Sequence, residues 1–366
     1  MNRKIRVGII FGGRSAEHEV SLLSARSIIQ AIDRDKYDLT YIGIDKTGNW
    51  RLYENEDFLI YPEDPKKVRL VESGQKLAII PGKDRDQLIN LSNFRIIDHL
   101  DVVFPVLHGP FGEDGTTQGA LKLAGIPFVG PGVLGSAASM DKDVAKRLMT
   151  QAGILNAKFM AFHRHQLETI DFQEVREKLG LPVFIKPANM GSSVGVNKAD
   201  SEERFFAHLK HAFEFDDKAV VEEYIKGREI ECSVLGNERP AASLPGEIVA
   251  SHDFYSYEAK YIDDKGAILQ IPASLPEKII SQVKEIALQT FKVLCCEGLS
   301  RVDMFLTEDE KIYVNEVNTL PGFTKISMYP KLWEQSGISY SELIDRLLQL
   351  AIERHERENK LKTSLN

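Results

Sequence analysis

Ile5-Arg6-Val7-Gly8-Ile9-Ile10-Phe11-Gly12-Gly13 is a short apolar run that ends on paired glycines, and from Ser15 onward Val20, Leu23, Ile28 and Ile32 fall at helical spacing. The run is too short for a helix and the glycines punctuate it, so the stretch predicts a buried strand, a turn and an amphipathic helix. The unit recurs. Tyr37–Ile44 and Asp101–Leu107 predict strands, Thr116–Ala124 a helix and Pro127–Val129 a short strand. Strands alternating with helices predict an α/β fold on a mostly parallel sheet. Gly12-Gly13-Arg14 does not complete G-x-G-x-x-G, so the dinucleotide fingerprint of a dehydrogenase is missing.

Gly130-Pro131-Gly132 marks one boundary and Lys226-Gly227 a second, dividing the chain into domains 1–130, 131–225 and 226–366. Roughly 150 residues per domain is the general expectation for such a length. In the middle part, Ala137–Ala152 predicts a helix stopped by Gly153, and Val183–Lys186 a strand running into the loop Pro187–Gly195. Val220–Ile225 predicts the next strand. The last part opens with a strand at Glu229–Leu235, followed by an irregular, aromatic-rich stretch, Phe254–Tyr261, inside a candidate lid at about 245–271. Helix Glu277–Cys296 shows Ile279, Val283, Ile286 and Phe291 on one face. Strands Ser300–Leu306 and Lys311–Val317 are joined by Thr307-Glu308-Asp309-Glu310, and a helix from Ser341 ends in a charged tail, Glu353–Lys362, expected to be solvated.

Asp+Glu 54 against Lys+Arg 46 leaves a net charge of −8, which excludes non-specific nucleic-acid binding but not a nucleotide held by a few lysines. Cys232, Cys295 and Cys296 are too few for a disulfide framework or a zinc site, and the adjacent pair is expected to be inert packing. Neither a signal-peptide core nor an apolar run of ~20 residues is visible. The expectation is a cytoplasmic protein with no membrane partner.

Chemistry concentrates in a few places. In a hairpin centred on Asp309-Glu310, Asp303 faces Glu316 and Arg301 faces Asn318, and strand alternation puts all four on one face unless a bulge intervenes. Two carboxylates and an amide oxygen there suit magnesium shared with phosphates, or else form a solvated face with a cross-strand charge pair. Lys186-Pro187 leads into Gly191-Ser192-Ser193-Val194-Gly195, which suits either a phosphate-binding loop or an ordinary turn. It is not a Walker A loop. Glu17, in a first helical turn, fits a dipole partner or an ammonium-binding carboxylate. His108 opens the glycine-rich loop His108–Gly115 after a buried strand, and is as readily structural as functional.

Taken in order, Gly12-Gly13-x-Ser15-Ala16-Glu17, His108–Gly115, Met140-Asp141-Lys142, Lys186-Pro187 with Gly191-Ser192-Ser193-x-Gly195, Glu258-Ala259-Lys260-Tyr261, Arg301-x-Asp303 and Asn315-Glu316-x-Asn318-Thr319-x-Pro321-Gly322 resemble the D-alanine–D-alanine ligases from about residue 5 to about 345. The resemblance implies a three-domain ATP-grasp architecture with a Rossmann-like N-terminal domain, and ATP held between the second and third domains. It implies ATP-dependent joining of two D-alanines through a D-alanyl phosphate, for peptidoglycan synthesis, with two magnesium ions (manganese also acceptable) and a homodimer. Lys142, Lys186 and Ser193 match phosphate-side residues, Lys260 a cofactor-binding residue, and Glu222, Tyr224, Ile225 and Glu229 the adenine and ribose segment. Asp303, Glu316 and Asn318 match metal ligands, and Arg301 the arginine facing the developing oxyanion. Glu17 and His108 match the first D-alanine site, and Gly322, Ser327 and Met328 the segment around the second carboxylate. Glu17, Ser192 and Tyr261 resemble the triad that ties the lid to the N-terminal domain. Glu223 stands where the pattern has a lysine and Met328 where it has a leucine. The alternative is a related ligase taking D-lactate or D-serine second. Tyr261 speaks against lactate, where the corresponding residue is histidine. A catalytically dead relative would have lost a metal ligand or Arg301, and this chain keeps them all.

Overall fold

The computed structural model describes residues 3–82, 87–97, 99–250, 267–362 and 364. Strand Ile5–Gly12 lies at the centre of the first sheet, flanked in parallel by Tyr37–Ile44 and Val102–Val106. Ile9 and Phe11 enter one core cluster and Ile10 the opposite one, so the strand is buried on both faces, as its unbroken apolar run requires.

The sheet is not mostly parallel, contrary to expectation. Beyond Tyr37–Ile44 it continues through Trp50–Tyr53, Gln75–Ile79, Leu88–Asn90 and Ile96–Ile97, every one of those pairings antiparallel. The connection decides this. Between Ile44 and Trp50 the Asp45 carboxylate takes the N–H groups of Thr47 (2.9 Å) and Asn49 (3.0 Å), closing a turn far too short for a parallel crossover.

The expected helix Ala137–Ala152 is two helices, Val133–Met140 and Lys142–Gln151. Asp141 is extended between them and its side chain accepts from Val144 N, capping the second helix. The break sets Lys142 at a helix start, where its N–H meets the carbonyl of Ala188. A four-stranded antiparallel sheet follows in the order Phe159–His163, Lys218–Glu223, Val183–Pro187, Asn197–Ala199. The strand expected at Val220–Ile225 starts earlier and stops at Glu223, so Tyr224 and Ile225 leave the sheet.

Arg228–Gly236 is the middle of a six-stranded sheet, between Gly246–Ala250 on one side and the hairpin Gly298–Leu306 and Ile312–Asn318 on the other. Gly246–Ala250 and Ala267–Gln270 form an antiparallel ladder, so the flanks of the expected irregular lid are sheet. The rest of that stretch, with Phe254–Tyr261, lies outside the described residues. Helix Glu277–Val293 buries Ile279, Val283 and Phe291 against this sheet, with Ile286 half-buried. Cys232 and Cys296 are buried as expected, whereas Cys295 is exposed, its φ of 55° turning it out of the chain's packing. No helix among the described residues is long and apolar enough to cross a membrane.

The charged C-terminal tail is not a solvated fray. Helix Tyr340–Asn359 runs through it, and Arg354, 4% exposed, lies over the Phe128 ring and donates to the carbonyls of Phe128 (2.8 Å) and Gly130. Arg354 thus satisfies buried carbonyls that no strand reaches. Replacing it by methionine keeps the volume and orphans both carbonyls, and should lower unfolding free energy by ~2 kcal/mol. Urea denaturation checks this: the midpoint should fall at an unchanged slope.

Candidate active site

The hairpin near the C-terminal end carries the first half of the site. Arg301 pairs with Asn318 and Asp303 with Glu316, as the sequence predicts, but the route differs. The turn is centred on Asp309, half a residue earlier. Thr307 N–H bonds Lys311 O at 3.0 Å, and Glu310 takes φ 61°, so Leu306–Ile312 and Met304–Val314 pair one register off. A bulge at Asn315 then restores the register. Its consequence is chemical. Val314 and Val317 turn into the core, and the consecutive Asn315 and Glu316 both face the cavity.

Asp303 accepts both prongs of the Arg301 guanidinium (2.7 Å each) and the Asn318 Nδ2 (2.9 Å), and Glu231 comes to 2.8 Å from Arg301 Nε. Glu231 was not anticipated, yet Ile230, Cys232 and Val234 alternate as core residues and leave Glu229 and Glu231 on the opposite face. The donor set fits a hard divalent cation: Asp303 and Glu316 face each other across the strands, and a half-turn of the Asn318 amide offers Oδ1. Among the described residues no three His, Cys, Asp or Glu side chains gather as a metal cluster.

Opposite the hairpin stands a row of lysines. Lys142 donates to Met190 O (2.7 Å) and lies 3.7 Å from Glu316. Lys186 reaches Glu222 (2.8 Å) and Asn315 Oδ1 (3.1 Å). Burial pushes the Glu222 carboxyl up, but Lys146 and Lys186 outweigh it and hold it below its usual range. These groups wall a cavity of about 450 Å³ that Ser193, Tyr224, Ile225 and Glu229 also line, a size suited to a small ligand. Glu223 lines it too, and its carboxylate accepts from the backbone of Lys158 at 2.8 Å. In the loop 187–195, Ser192 and Ser193 take φ of 49° and 60°, a strained choice for non-glycine residues.

A second corner adjoins the cavity. Glu17, 7% exposed, precedes helix His18–Ala31 and accepts from Ser192 Oγ. A Cβ at Gly191 would sit 2.7 Å from Glu17 Oε2 and one at Gly109 2.9 Å, so a side chain at either position would push the carboxylate aside. His108 bonds the carbonyl of Leu320 through Nδ1 (2.8 Å), which assigns the proton to Nδ1 and leaves Nε2 for Ser24 Oγ at 3.4 Å. Burial lowers the His108 pKa, so the ring is neutral near pH 7. Glu113, unforeseen, takes the N–H of Leu320 (2.9 Å) and of Gly109 (2.7 Å), and Ser24 takes that of Phe323 (3.1 Å).

The chain matches the model of the D-ala D-ala ligase N-terminus over residues 6–131 and that of the C-terminus over 148–349. It is 59% identical over 361 residues to the D-alanine–D-alanine ligase of Oceanobacillus iheyensis, covering 99% of each. Among solved structures, the VanG D-Ala:D-Ser ligase of Enterococcus faecalis is 38% identical with a TM-score of 0.83, covering 95% of this chain and 100% of that one. The D-alanine–D-alanine ligase of Bacillus anthracis complexed with ATP is 29% identical with a TM-score of 0.72, over 97% and 99%. This chain belongs to the D-alanine–D-alanine ligase family.

The family's motifs therefore meet around one cavity and its neighbouring corner, with three qualifications. Lys260 and Tyr261 lie outside the described residues, so the Ser192–Glu17 bond is the described part of the triad. Both nitrogens of His108 have partners within the protein, Leu320 O and Ser24 Oγ. Met328 buries its side chain against Ile248 and Leu332, while Ser327 Oγ receives the N–H of Thr324 (3.0 Å) below Gly322.

Burial, with Glu17 adding to it, pushes the Glu113 carboxyl up to about 8 from an ordinary 4.5. The folded state then binds this proton more tightly than the unfolded one. The stabilisation is full below about pH 4.5 and is lost as pH rises through about 8. Melting temperature between pH 6 and 9 should therefore fall with pH, and Glu113→Gln should flatten that slope. An equal slope in both proteins would rule out Glu113 as its source.

Proposed function

We propose that this chain joins two D-alanines to D-alanyl-D-alanine at the expense of ATP, through a D-alanyl phosphate, for peptidoglycan synthesis. The observation that carries the reading is the meeting of Lys142 and Lys186 with Asp303, Glu316 and Asn315 around one cavity, beside the enclosed Glu17. Opposed cations and oxygen donors are what phosphoryl transfer requires, since it depends on positioning and charge neutralisation.

Each residue then has a part. Glu17 holds the ammonium of the first D-alanine, while the carboxylate of that D-alanine attacks the γ-phosphate and ADP leaves. Lys142 and Lys186 balance the phosphate charge, and Ser193 borders the phosphates. Glu222, Tyr224, Ile225 and Glu229 receive adenine and ribose. Arg301, gripped by Asp303 and Glu231, stays cationic beside the oxyanion that forms when the second amine attacks the acyl phosphate. Gly322 and Ser327 border the second carboxylate. Asp303, Glu316 and Asn318 would hold two magnesium ions, which supply charge neutralisation on the phosphates. The working unit is a homodimer in the cytoplasm.

Two measurements test the reading. Phosphate release with ATP should require D-alanine, and the product should be the dipeptide; a preference for D-serine or D-lactate in the second position would reassign the substrate. Glu316→Gln removes a charge that bound cations, phosphates and the neighbouring lysines Lys142 and Lys186 sense. Its kcat should fall on the order of 10²–10³-fold with the melting temperature nearly unchanged, whereas full turnover would take this strand out of the site.

A further inference from the structure

Lys146 is buried to 1% exposure, and none of the motifs that define the site includes it. It follows Lys142 by one helical turn on Lys142–Gln151, and its Nζ lies 3.3 Å from Glu222 Oε1 and 5.9 Å from the centre of the Phe159 ring. Among the described residues that ammonium has no well-aligned hydrogen bond. Its interaction is charge, held where burying a charge is costly. The other oxygen of Glu222 takes Lys186, which is 12% exposed and opens on the cavity. One carboxylate thus has two cations of unequal standing: a sealed one behind it and one that faces the ligand space.

We infer that Lys146 is a positioning residue for the nucleotide, the resident counter-charge of Glu222 that frees Lys186 to turn from this carboxylate to an incoming phosphate. The inference rests on the ATP reading above. With Lys146 in place, departure of Lys186 leaves Glu222 neutralised; without it, Lys186 becomes the cation that a buried carboxylate cannot release. Lys146 touches no ligand and acts through its effect on Glu222 and Lys186.

The test is a double-mutant cycle on the full-length protein, with ATP and magnesium as the probe and both direct binding and steady-state kinetics read. Lys146→Met should raise the Kd and KM for ATP at least tenfold, change kcat less than threefold and leave the KM for D-alanine unmoved. In a Glu222→Gln background the same substitution should change ATP affinity less than threefold, because the carboxylate bonded to Lys186 is gone. An equal loss in both backgrounds would mark Lys146 as merely structural and overturn the inference. So would unchanged ATP affinity in the single variant. Should Lys146→Met fail to fold, the double variant, which removes the buried pair as a unit, is compared with Glu222→Gln alone: equal ATP affinity supports the inference and a tenfold deficit overturns it. Wild-type protein that binds no ATP would instead overturn the nucleotide reading.

Discussion

The peptide of Leu320 is the joint on which the site is assembled. Its carbonyl is taken by His108, its N–H by Glu113, and three residues on the N–H of Phe323 goes to Ser24. All three side chains come from the first sheet's layer, while the segment they hold leaves the hairpin that carries Asp303 and Glu316 and continues to Gly322. Such bonds are buried, so breaking one strands a polar group away from water. The distance between the Glu17 corner and the hairpin is therefore set by three buried side-chain-to-backbone hydrogen bonds.

Much of this was legible in the sequence, and the reasons are local. Tyr37–Ile44 reads as a strand and is one, because an apolar run closed by the Asp45 turn leaves few alternatives. The pairs Arg301–Asn318 and Asp303–Glu316 also follow from parity. Parity reached them through two irregularities that cancel, a pairing register shifted by one residue at the turn and a bulge at Asn315. The apolar spacing carried a trace of the bulge: Ile312 and Val314 are two apart, Val317 three further on, a break in the alternation of a strand.

What the sequence hid depends on contacts between distant segments. Whether a glutamate in His108–Gly115 is solvated or enclosed cannot be read from its neighbours, and Glu113 is enclosed by Leu320, more than two hundred residues away. Lys146 looks like a polar residue on an amphipathic helix, and Arg354 like part of a charged tail. Each is buried because another layer closes over it. Local patterning cannot show a layer that is not local.

These hidden charges also explain how the fold holds a site rich in ionised groups. Lys186 is lent to Glu222 and Asn315, Lys142 to Met190 O and Glu316, and Arg301 to Asp303 and Glu231. Among the described residues, each of these three cations already has an internal partner. Desolvating a charge is costly and its pairing recovers much of that cost. Admitting an anionic ligand is then an exchange of partners at nearly constant charge, not a fresh desolvation. The exchange is possible only where the abandoned carboxylate keeps other company, which is why one glutamate in the cavity wall is bracketed by two lysines.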